Sequence, residues 1–337
     1  NKKNLKKYKK HKNFRLIGMG GSTLGAQTIY QFLNNKIKKN FVFIDNLQIK
    51  QKKNNYKNTN IIISKSGNTI ETIVNANVLI KKKDENIFIT ENKKNYLHNL
   101  ANKLKAEIIH HNNYIGGRYS VLSEVGMLPA ELMGLKSENF RQLNSLIKNK
   151  YFINALISNV TTTLSLIKEK KFNSIIINYD ERSENLFYWY QQLIAESLGK
   201  KKKGLLPIVS NMPRDNHSLM QLYLDGFENN FFTFFYVDDY KSDRLKNNNI
   251  LPPLEYLKNK YSKNIVYAQK KASENIFKKK NIPFRSFEIK KRDEKTLGEL
   301  FCFFMLETIL LGKSLDINPF DQPSVELIKT ETKKFLI

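Results

Sequence analysis

The chain has 337 residues, of which 41% are hydrophobic, and a formal net charge of +26 at pH 7. This length is more than one small core can accommodate and predicts two domains. The chain has a single cysteine, Cys302, which excludes an internal disulfide and is predicted to be a buried structural thiol in a reducing, cytoplasmic setting. Glu307 interrupts the longest apolar run before it reaches the roughly 18 to 20 residues of a membrane span, so no membrane partner is expected.

The charge raises nucleic acid as a partner, because a basic surface releases counterions when it binds phosphate. However, 49 of the 57 basic residues are lysine and they are spread along the chain, whereas base readout and bidentate phosphate binding favour arginine. A compositional bias explains this pattern better. We therefore expect no nucleic-acid partner and only a mild attraction for anionic metabolites.

The first half of the chain alternates short apolar runs with amphipathic segments. The runs that predict strands are residues 14–18, 41–45, 60–64, 86–90 and 106–110. Near-continuous apolar strands separated by helical patterns are typical of a parallel sheet covered by helices on both faces.

The second half repeats this scheme. Its strand-like runs are residues 174–179, 205–210, 231–239 and 284–290. The predicted fold class is therefore α/β, with two doubly wound parallel sheets in domains at 1–150 and 151–337. Helical patterns at 119–134 and 138–170 separate the halves. The final helix follows no strand of its own and is expected to pack back across the structure.

The stretch SKSGNTIET, residues 64–72, follows the third predicted strand and precedes a helix. It carries three hydroxyl side chains, those of Ser64, Ser66 and Thr69. Asn68 and Glu71 have the spacing of a helix N-cap and its N3 partner. A helix that begins near Thr69 directs its free N–H groups at the loop, which suits a phosphate monoester. An ordinary capped turn explains these residues equally well.

A second glycine-rich turn, GMGGSTLG at 18–25, also follows a strand and carries the hydroxyl of Ser22. Asp45 lies too late for a good dinucleotide-binding match. A nucleotide fold and close packing of the backbone against a small ligand both remain open. In GGRYSVLSEVG, residues 116–126, Arg118 follows two glycines that allow a tight turn into a cleft; a surface arginine beside a turn is the alternative.

In FYWYQQLIAESLGK, residues 187–200, Gln192 and Glu196 share one helix face. Nearby apolar and aromatic side chains are expected to desolvate Glu196 and to raise its pKa toward that of a general base, whereas a solvated helix glutamate is the ordinary alternative. Of the five histidines, only His217 lies in a loop suited to a functional role, the loop in SNMPRDNHSLMQLYLDG that leads into a helix. No spacing of histidines, carboxylates and cysteine resembles a metal site, so none is predicted.

Taken together, the motifs resemble those of the phosphoglucose isomerase family. GMGGSTLG, SKSGNTIET, GGRYSVLSEVGMLPAEL, QQLIAESLGK, DNHSLMQLYLDG and FDQPSVELIK occur in the order that family shows, over residues 18–329. The resemblance implies two sugar-isomerase domains and interconversion of glucose 6-phosphate and fructose 6-phosphate through a cis-enediolate, in glycolysis and gluconeogenesis. It implies no metal and no cofactor.

The resemblance also implies roles for individual residues. Glu196 is similar to the base that moves a proton between C2 and C1, and Arg118 to the arginine that stabilises the enediolate. His217 and Lys329 correspond to ring-opening residues, and Gln192 to a glutamine of the substrate pocket. The residues that fall on phosphate-binding positions are Ser22, Ser64, Lys65, Ser66 and Thr69.

Members of the family are generally homodimers in which the ring-opening histidine reaches the neighbouring subunit's site, so His217 is expected to be shared. They usually carry a helical segment ahead of the first glycine turn, and this chain begins only a few residues before that turn. Two alternatives are a bifunctional phosphoglucose/phosphomannose isomerase and a non-catalytic sugar-phosphate sensor. GGRYS, QQLIAES and FDQPSVE disfavour the first, and a base that a sensor does not need disfavours the second.

Overall fold

A computed structural model describes residues 6–47, 57–238 and 242–337, and it contains two parallel β-sheets. The first sheet has the order β2-β1-β3-β4-β5, with strands β1 (Asn13–Ile17), β2 (Asn40–Ile44), β3 (Thr59–Ile63), β4 (Glu85–Glu91) and β5 (Glu107–His111). The second has the order β7-β6-β8-β9, with β6 (Asn173–Asn178), β7 (Leu206–Asn211), β8 (Asn230–Val237) and β9 (Phe284–Ile289). The predicted α/β class is confirmed, and each predicted strand is found within about two residues.

Helices connect the strands and cover the sheets. In chain order they are α1 (Leu24–Phe32), α2 (Ile70–Leu79), α3 (Tyr96–Lys103), α4 (Glu124–Met133), α5 (Leu143–Leu146), α6 (Lys150–Lys168), α7 (Glu184–Leu198), α8 (Met220–Asp225), α9 (Ser262–Lys279), α10 (Glu294–Ser314) and α11 (Pro323–Leu336). No helix in the described ranges is long and apolar enough to cross a membrane.

The strand order creates one switch point in each sheet, where successive connections leave in opposite directions. In the first sheet this point lies between β1 and β3, and in the second between β6 and β8. Ligands of open α/β sheets bind outside the carboxyl ends of the strands at such points. The two glycine-rich loops, which follow β1 and β3, are therefore neighbours at the preferred position.

The two halves pack through helices. Helix α1 of the first half contacts α7 of the second, and α10 packs on the other side of α7. Trp189 and Phe301 meet edge to face with ring centroids 4.9 Å apart, within one hydrophobic cluster that draws residues from both halves. This packing fixes the helix that carries Glu196 relative to the first sheet. The division near residue 150 stays a prediction.

Buried ion pairs reinforce the second half. Arg292 contacts Asp180 at 2.7 Å, and its guanidinium lies 4.6 Å from the ring centroid of Phe32 on α1. Arg285 pairs with Glu307, which explains how the glutamate that interrupts the apolar run is accommodated. Removing one partner of such a pair costs about 3–5 kcal/mol, because the other charge is left buried and uncompensated.

Three local expectations were wrong. The 119–134 pattern begins as a 3-10 helix at Gly117–Leu122, and α4 starts only after Ser123, whose hydroxyl accepts from the amide of Val125. The 138–170 pattern is broken into a 3-10 turn, α5 and α6. The final helix, α11, does not pack back across the structure, because none of its side chains is buried.

Cys302 behaves as a structural thiol. It is buried in α10, and burial raises the pKa of its thiol to about 11. A thiol in that state is neither a nucleophile nor readily oxidised. The prediction of a buried cysteine is confirmed.

Candidate active site

The loop that follows β3, residues 64–69, gathers its hydroxyl groups in one place; we call it the phosphate loop. The hydroxyls of Ser64 and Thr69 lie 2.8 Å apart, and Ser64 Oγ accepts from the amide of Gly67 at 3.2 Å. Ser66 Oγ accepts from the amide of Asn68 at 3.3 Å. Helix α2 begins directly after Thr69, so its first N–H groups, which have no intrahelical partner, face the loop.

The predicted N-cap was wrong by one residue. Thr69, not Asn68, occupies that position, and its hydroxyl pairs with Ser64 instead of capping the helix. The carboxamide of Asn68 accepts from the amide of Tyr96 at the start of α3, 3.1 Å away. Glu71 lies in the first turn of α2, where a negative charge complements the helix dipole.

Asn95, which the sequence reasoning missed, packs against the phosphate loop at Gly67. Gly67 has φ +66°, and a Cβ there would lie 2.2 Å from the Asn95 side-chain carbon, so only glycine fits. Asn95 donates to Thr90 Oγ1 at 3.1 Å and accepts from the amide of His98. Asn95 precedes the periodic helical segment YLHNL, and that N-cap pattern is the signal that could have identified it.

Ser22 lies in the neighbouring turn after β1, and Lys65 belongs to the phosphate loop itself. Ser22 ends the 3-10 turn Gly20–Ser22 that follows β1. A Cβ on Gly18 would lie 2.9 Å from the carbonyl oxygen of Ile63, so the first glycine turn packs against the end of β3. Lys65 Nζ lies 3.7 Å from a carboxylate oxygen of Glu91.

The first glycine turn is built for close packing of backbones. A Cβ on Gly21 would lie 2.2 Å from the carbonyl carbon of Gly117, which precedes Arg118. A Cβ on Gly20, which has φ +51°, would lie 2.7 Å from Gln192 Nε2. The glycines therefore bring the turn after β1 into contact with the Arg118 turn and with α7. Packing of this turn against a small ligand stays a prediction.

Arg118 is the centre of the hydrogen-bond network and is only 2% exposed, so it is not a surface arginine. Its five N–H groups donate to Ser197 Oγ (2.8 Å), Glu196 Oε2 (3.0 Å), Gln322 Oε1 (2.7 Å) and the carbonyl oxygens of Pro319 (2.7 Å) and Asp321 (3.0 Å). Every donor of the guanidinium thus has an acceptor, which holds the group in one orientation.

Glu196 is positioned by two neighbours. Its Oε2 accepts from Arg118, and its Oε1 accepts from Gln192 Nε2 at 2.9 Å. The side chain is 30% exposed, and the aromatic residues Phe187, Trp189 and Tyr190 of α7 are buried in the core. The carboxylate therefore faces solvent on one side and a fixed guanidinium on the other, which differs from the desolvated setting that we expected.

The segment before α11 is a part of this site that the sequence reasoning did not single out. Gln322 and the carbonyl groups of Pro319 and Asp321 hold the guanidinium of Arg118, some 200 positions away in the sequence. Tyr119 adds a hydrogen bond from its hydroxyl to the Pro319 carbonyl oxygen at 3.1 Å. The motif FDQPSVE contains Asp321 and Gln322 but not Pro319, and nothing local in it indicates a contact with Arg118.

The structure does not bring His217 or Lys329 to the Arg118–Glu196 pair. His217 is exposed in the loop after β7, a loop that Asp215 braces by accepting from the amide of Asn211 at 2.8 Å. Lys329 lies on α11 with its side chain 52% exposed and contacts Glu326 at 2.6 Å. It is seven positions beyond Gln322, or about 10 Å along a helix.

Two parallel sheets with a hydroxyl-lined loop at one switch point and a glutamate–arginine pair nearby define a sugar-phosphate isomerase fold. Solved structures with this fold include a hypothetical protein from Thermus thermophilus (TM-score 0.87, 23% identical, covering 99% of this chain and 87% of that one). A glucose-6-phosphate isomerase from Chlamydia trachomatis has a TM-score of 0.72 at 18% identity, covering 99% of this chain and 71% of that one.

Sequence comparison identifies the family. Residues 4–207 match the family described as phosphoglucose isomerase. The glucose-6-phosphate isomerase of Methanocaldococcus jannaschii is 34% identical, covering 96% of this chain and 84% of the relative, and that of Mycoplasmopsis pulmonis is 32% identical, covering 95% and 82%. The chain belongs to the phosphoglucose isomerase family. The predicted family and the predicted enzyme class, an aldose–ketose isomerase, are confirmed.

Proposed function

We propose that this chain interconverts glucose 6-phosphate and fructose 6-phosphate, as a glycolytic and gluconeogenic enzyme of the cytoplasm. The observation that carries the proposal is the carboxylate of Glu196, held at 3.0 Å by Arg118 and at 2.9 Å by Gln192. A base that moves a proton between two adjacent carbons needs one carboxylate in a fixed position. The pair supplies that base together with a permanent positive charge beside it.

Arg118 stabilises the charge that develops on O1 and O2 during proton transfer. Because all five of its N–H groups have protein acceptors, a substrate oxygen has to replace one of them. The bonds of Nη1 to Glu196 and Gln322 are partly exposed, whereas those to Ser197 and to the Pro319 carbonyl are buried. The Nη1 edge is therefore the one that meets the enediolate, and an oriented donor there needs no reorganisation.

The phosphate loop holds the end of the sugar that does not react. Hydroxyls of Ser64, Ser66 and Thr69 and the free N–H groups at the start of α2 bind the phosphate, with Lys65 and Ser22 beside them. Binding energy from this remote group positions C1 and C2 against Glu196.

A double substitution of the phosphate loop, Ser66→Ala with Thr69→Ala, is expected to raise KM for fructose 6-phosphate about 10²- to 10⁴-fold. Each hydroxyl contributes a hydrogen bond to a charged group, worth about 1.5–3 kcal/mol. We expect kcat to change far less, because the groups that contact C1 and C2 are intact. Steady-state kinetics separate the two constants.

The matched control is Ser145→Ala with Thr161→Ala, which removes two exposed hydroxyls that bond only to nearby backbone carbonyls. It should leave both constants unchanged. A defect confined to kcat in the loop variant contradicts phosphate binding by these hydroxyls.

His217 and Lys329 are proposed to open the sugar ring, with His217 acting in the neighbouring subunit of a homodimer. In support, His217 is exposed, and the apolar side chains of α11 are exposed as well, including Leu327 and Ile328 at 69% and 70%. Exposed apolar side chains in such numbers are typical of protein interfaces.

Shared sites predict complementation between two inactive variants. A Glu196→Gln chain and a His217→Ala chain each lack one group, but a mixed dimer contains one complete site. Co-expression should restore activity, up to half that of the wild-type dimer for the mixed species. Activity that stays at the level of the separate variants, in a sample shown by sedimentation to contain mixed dimers, contradicts the sharing of His217.

The direct test of the function is a coupled assay in which formation of glucose 6-phosphate from fructose 6-phosphate reduces a nicotinamide through a dehydrogenase. Turnover is expected with fructose 6-phosphate. Mannose 6-phosphate, offered in parallel, should not be converted. A chain that binds sugar phosphates but converts none of them contradicts the proposal.

A further inference from the structure

The lysine run at residues 200–203 forms a tight hairpin directly after α7. Lys200 and Lys203 pair as an antiparallel bridge, with reciprocal backbone hydrogen bonds of 3.1 and 2.9 Å. Between them, Lys201 and Lys202 have φ of +52° and +58°, the conformation of a type I′ turn. Each left-handed lysine costs roughly 1–2 kcal/mol relative to glycine. Lysines at these positions therefore need compensating contacts.

The contacts of the hairpin come from Lys200, Lys201 and Lys203, and they converge on one segment. We call residues 315–322, which join α10 to α11, the connection. Lys203 Nζ donates to the carbonyl oxygen of Leu315 at 3.0 Å, and Lys201 Nζ donates to the Asp316 carbonyl oxygen at 2.8 Å. Carbonyl groups at a helix C-terminus attract cations.

Lys200 makes the contact that reaches the active site. Its Nζ donates to the carbonyl oxygen of Asp321 at 2.7 Å and to the Asp321 carboxylate at 3.0 Å. The same carbonyl oxygen accepts from Arg118 Nη2 at 3.0 Å. One backbone oxygen thus joins the lysine to the guanidinium that holds Glu196.

The environment of Lys200 differs from that of a solvated surface lysine. Its side chain is only 12% exposed, although Asp321 is 52% exposed. The hydrogen bond from Lys200 holds the pKa of the Asp321 carboxyl below its ordinary value. Lys202, by contrast, is exposed and serves as the solvated member of the run.

We propose that Lys200 is a positioning residue for the isomerase reaction: it fixes the connection so that the carbonyl groups of Pro319 and Asp321 and the side chain of Gln322 orient Arg118 against Glu196. The proposal rests on the proposed function. Lys200 acts through Arg118, since it does not itself contact the carboxylate of Glu196. The lysine run is therefore more than compositional bias at this one position.

The test compares Lys200→Met with the matched control Lys202→Met in the full chain. We expect Lys200→Met to lower kcat for fructose 6-phosphate about tenfold, with KM within about twofold, because Arg118 loses orientation while the phosphate loop is untouched. Lys200→Arg should recover most of the loss, since it restores a cationic donor. Lys202→Met should behave as wild type.

Hydrogen–deuterium exchange supplies a readout that does not depend on activity. Amides of residues 315–322 should exchange faster in Lys200→Met than in wild type, whereas those of β6 and β8 should be unchanged, which also shows that the variant is folded. Unchanged exchange of residues 315–322 overturns the proposal, as does an equal fall in kcat in Lys202→Met. If the wild-type chain has no activity, the proposed function fails, while the exchange experiment still tests the hold of Lys200 on the connection.

Discussion

Glu196→Gln is expected to lower kcat for isomerisation by about 10²- to 10⁴-fold, the range that a positioned general base contributes. The substitution removes the proton acceptor but keeps the shape of the side chain. The carboxamide oxygen can still accept from Arg118. Gln192 Oε1 is buried and has no partner among the described residues. If the carboxamide of Gln192 flips by 180°, the new NH₂ group can donate to this oxygen. Binding of the sugar phosphate should therefore persist.

Two measurements check this expectation. The coupled assay gives kcat, and calorimetric titration with a non-isomerised sugar phosphate gives affinity, which should change by less than about threefold. Solvent deuterium should no longer enter at C2 of the sugar. The control is Glu181→Gln, an exposed glutamate just before α7, which should have full activity. Turnover of Glu196→Gln at the wild-type rate would contradict the assignment of Glu196 as the general base.

Arg118→Lys is expected to lower kcat by about 10²- to 10³-fold, the cost of removing one oriented donor from a developing oxyanion. Lysine keeps the charge but has three donors on a point-like group, whereas the planar guanidinium reaches five acceptors at once. The Pro319 carbonyl oxygen keeps only the Tyr119 hydroxyl as a donor, and each lost hydrogen bond to the charged guanidinium costs about 1.5–3 kcal/mol. The free energy of unfolding should fall with the rate.

The control separates catalysis from stability. Arg285→Lys alters a partly buried arginine that pairs with the buried Glu307 away from the Arg118 network, so it should lower the melting temperature similarly but leave kcat near the wild-type value. Both variants are measured by thermal unfolding and by the coupled assay. If Arg118→Lys and Arg285→Lys reduce kcat equally at equal loss of stability, Arg118 has no particular role in the transition state.

Local sequence predicted the strands well and singled out the loop at residues 64–69. Runs such as Ile61–Ile63 and Phe231–Val237 are buried in full, so a continuous apolar run identifies each central strand. Ser64, Ser66 and Thr69 lie within six residues, and the hydrogen bond between Ser64 and Thr69 follows from the turn that Gly67 permits. Even here the local capping rule fails for Asn68. Its side chain does not cap the helix that follows it but accepts from the amide of Tyr96, which α3 brings close.

The arrangement around Arg118 could not be predicted from any window of sequence. The guanidinium draws acceptors from α7 and from the connection, which lie about 80 and 200 positions away. Which acceptors reach it depends on how α1, α7 and α10 pack, and that packing is set by apolar contacts spread over both halves. The same holds for Lys200. It bonds to Asp321, but in the sequence its lysine run is explained by compositional bias.

The sequence by itself determined the fold class and the family, and it singled out the loop at residues 64–69 and the residues proposed to carry chemistry, because periodicity and short motifs are local properties of the chain. Only the tertiary structure decided which of them meet: Arg118 with Glu196 and Gln322, but neither His217 nor Lys329 with that pair. The reason is physical. A hydrogen bond forms where packing places a donor within about 3 Å of an acceptor, and in this fold packing joins segments that are far apart in the chain.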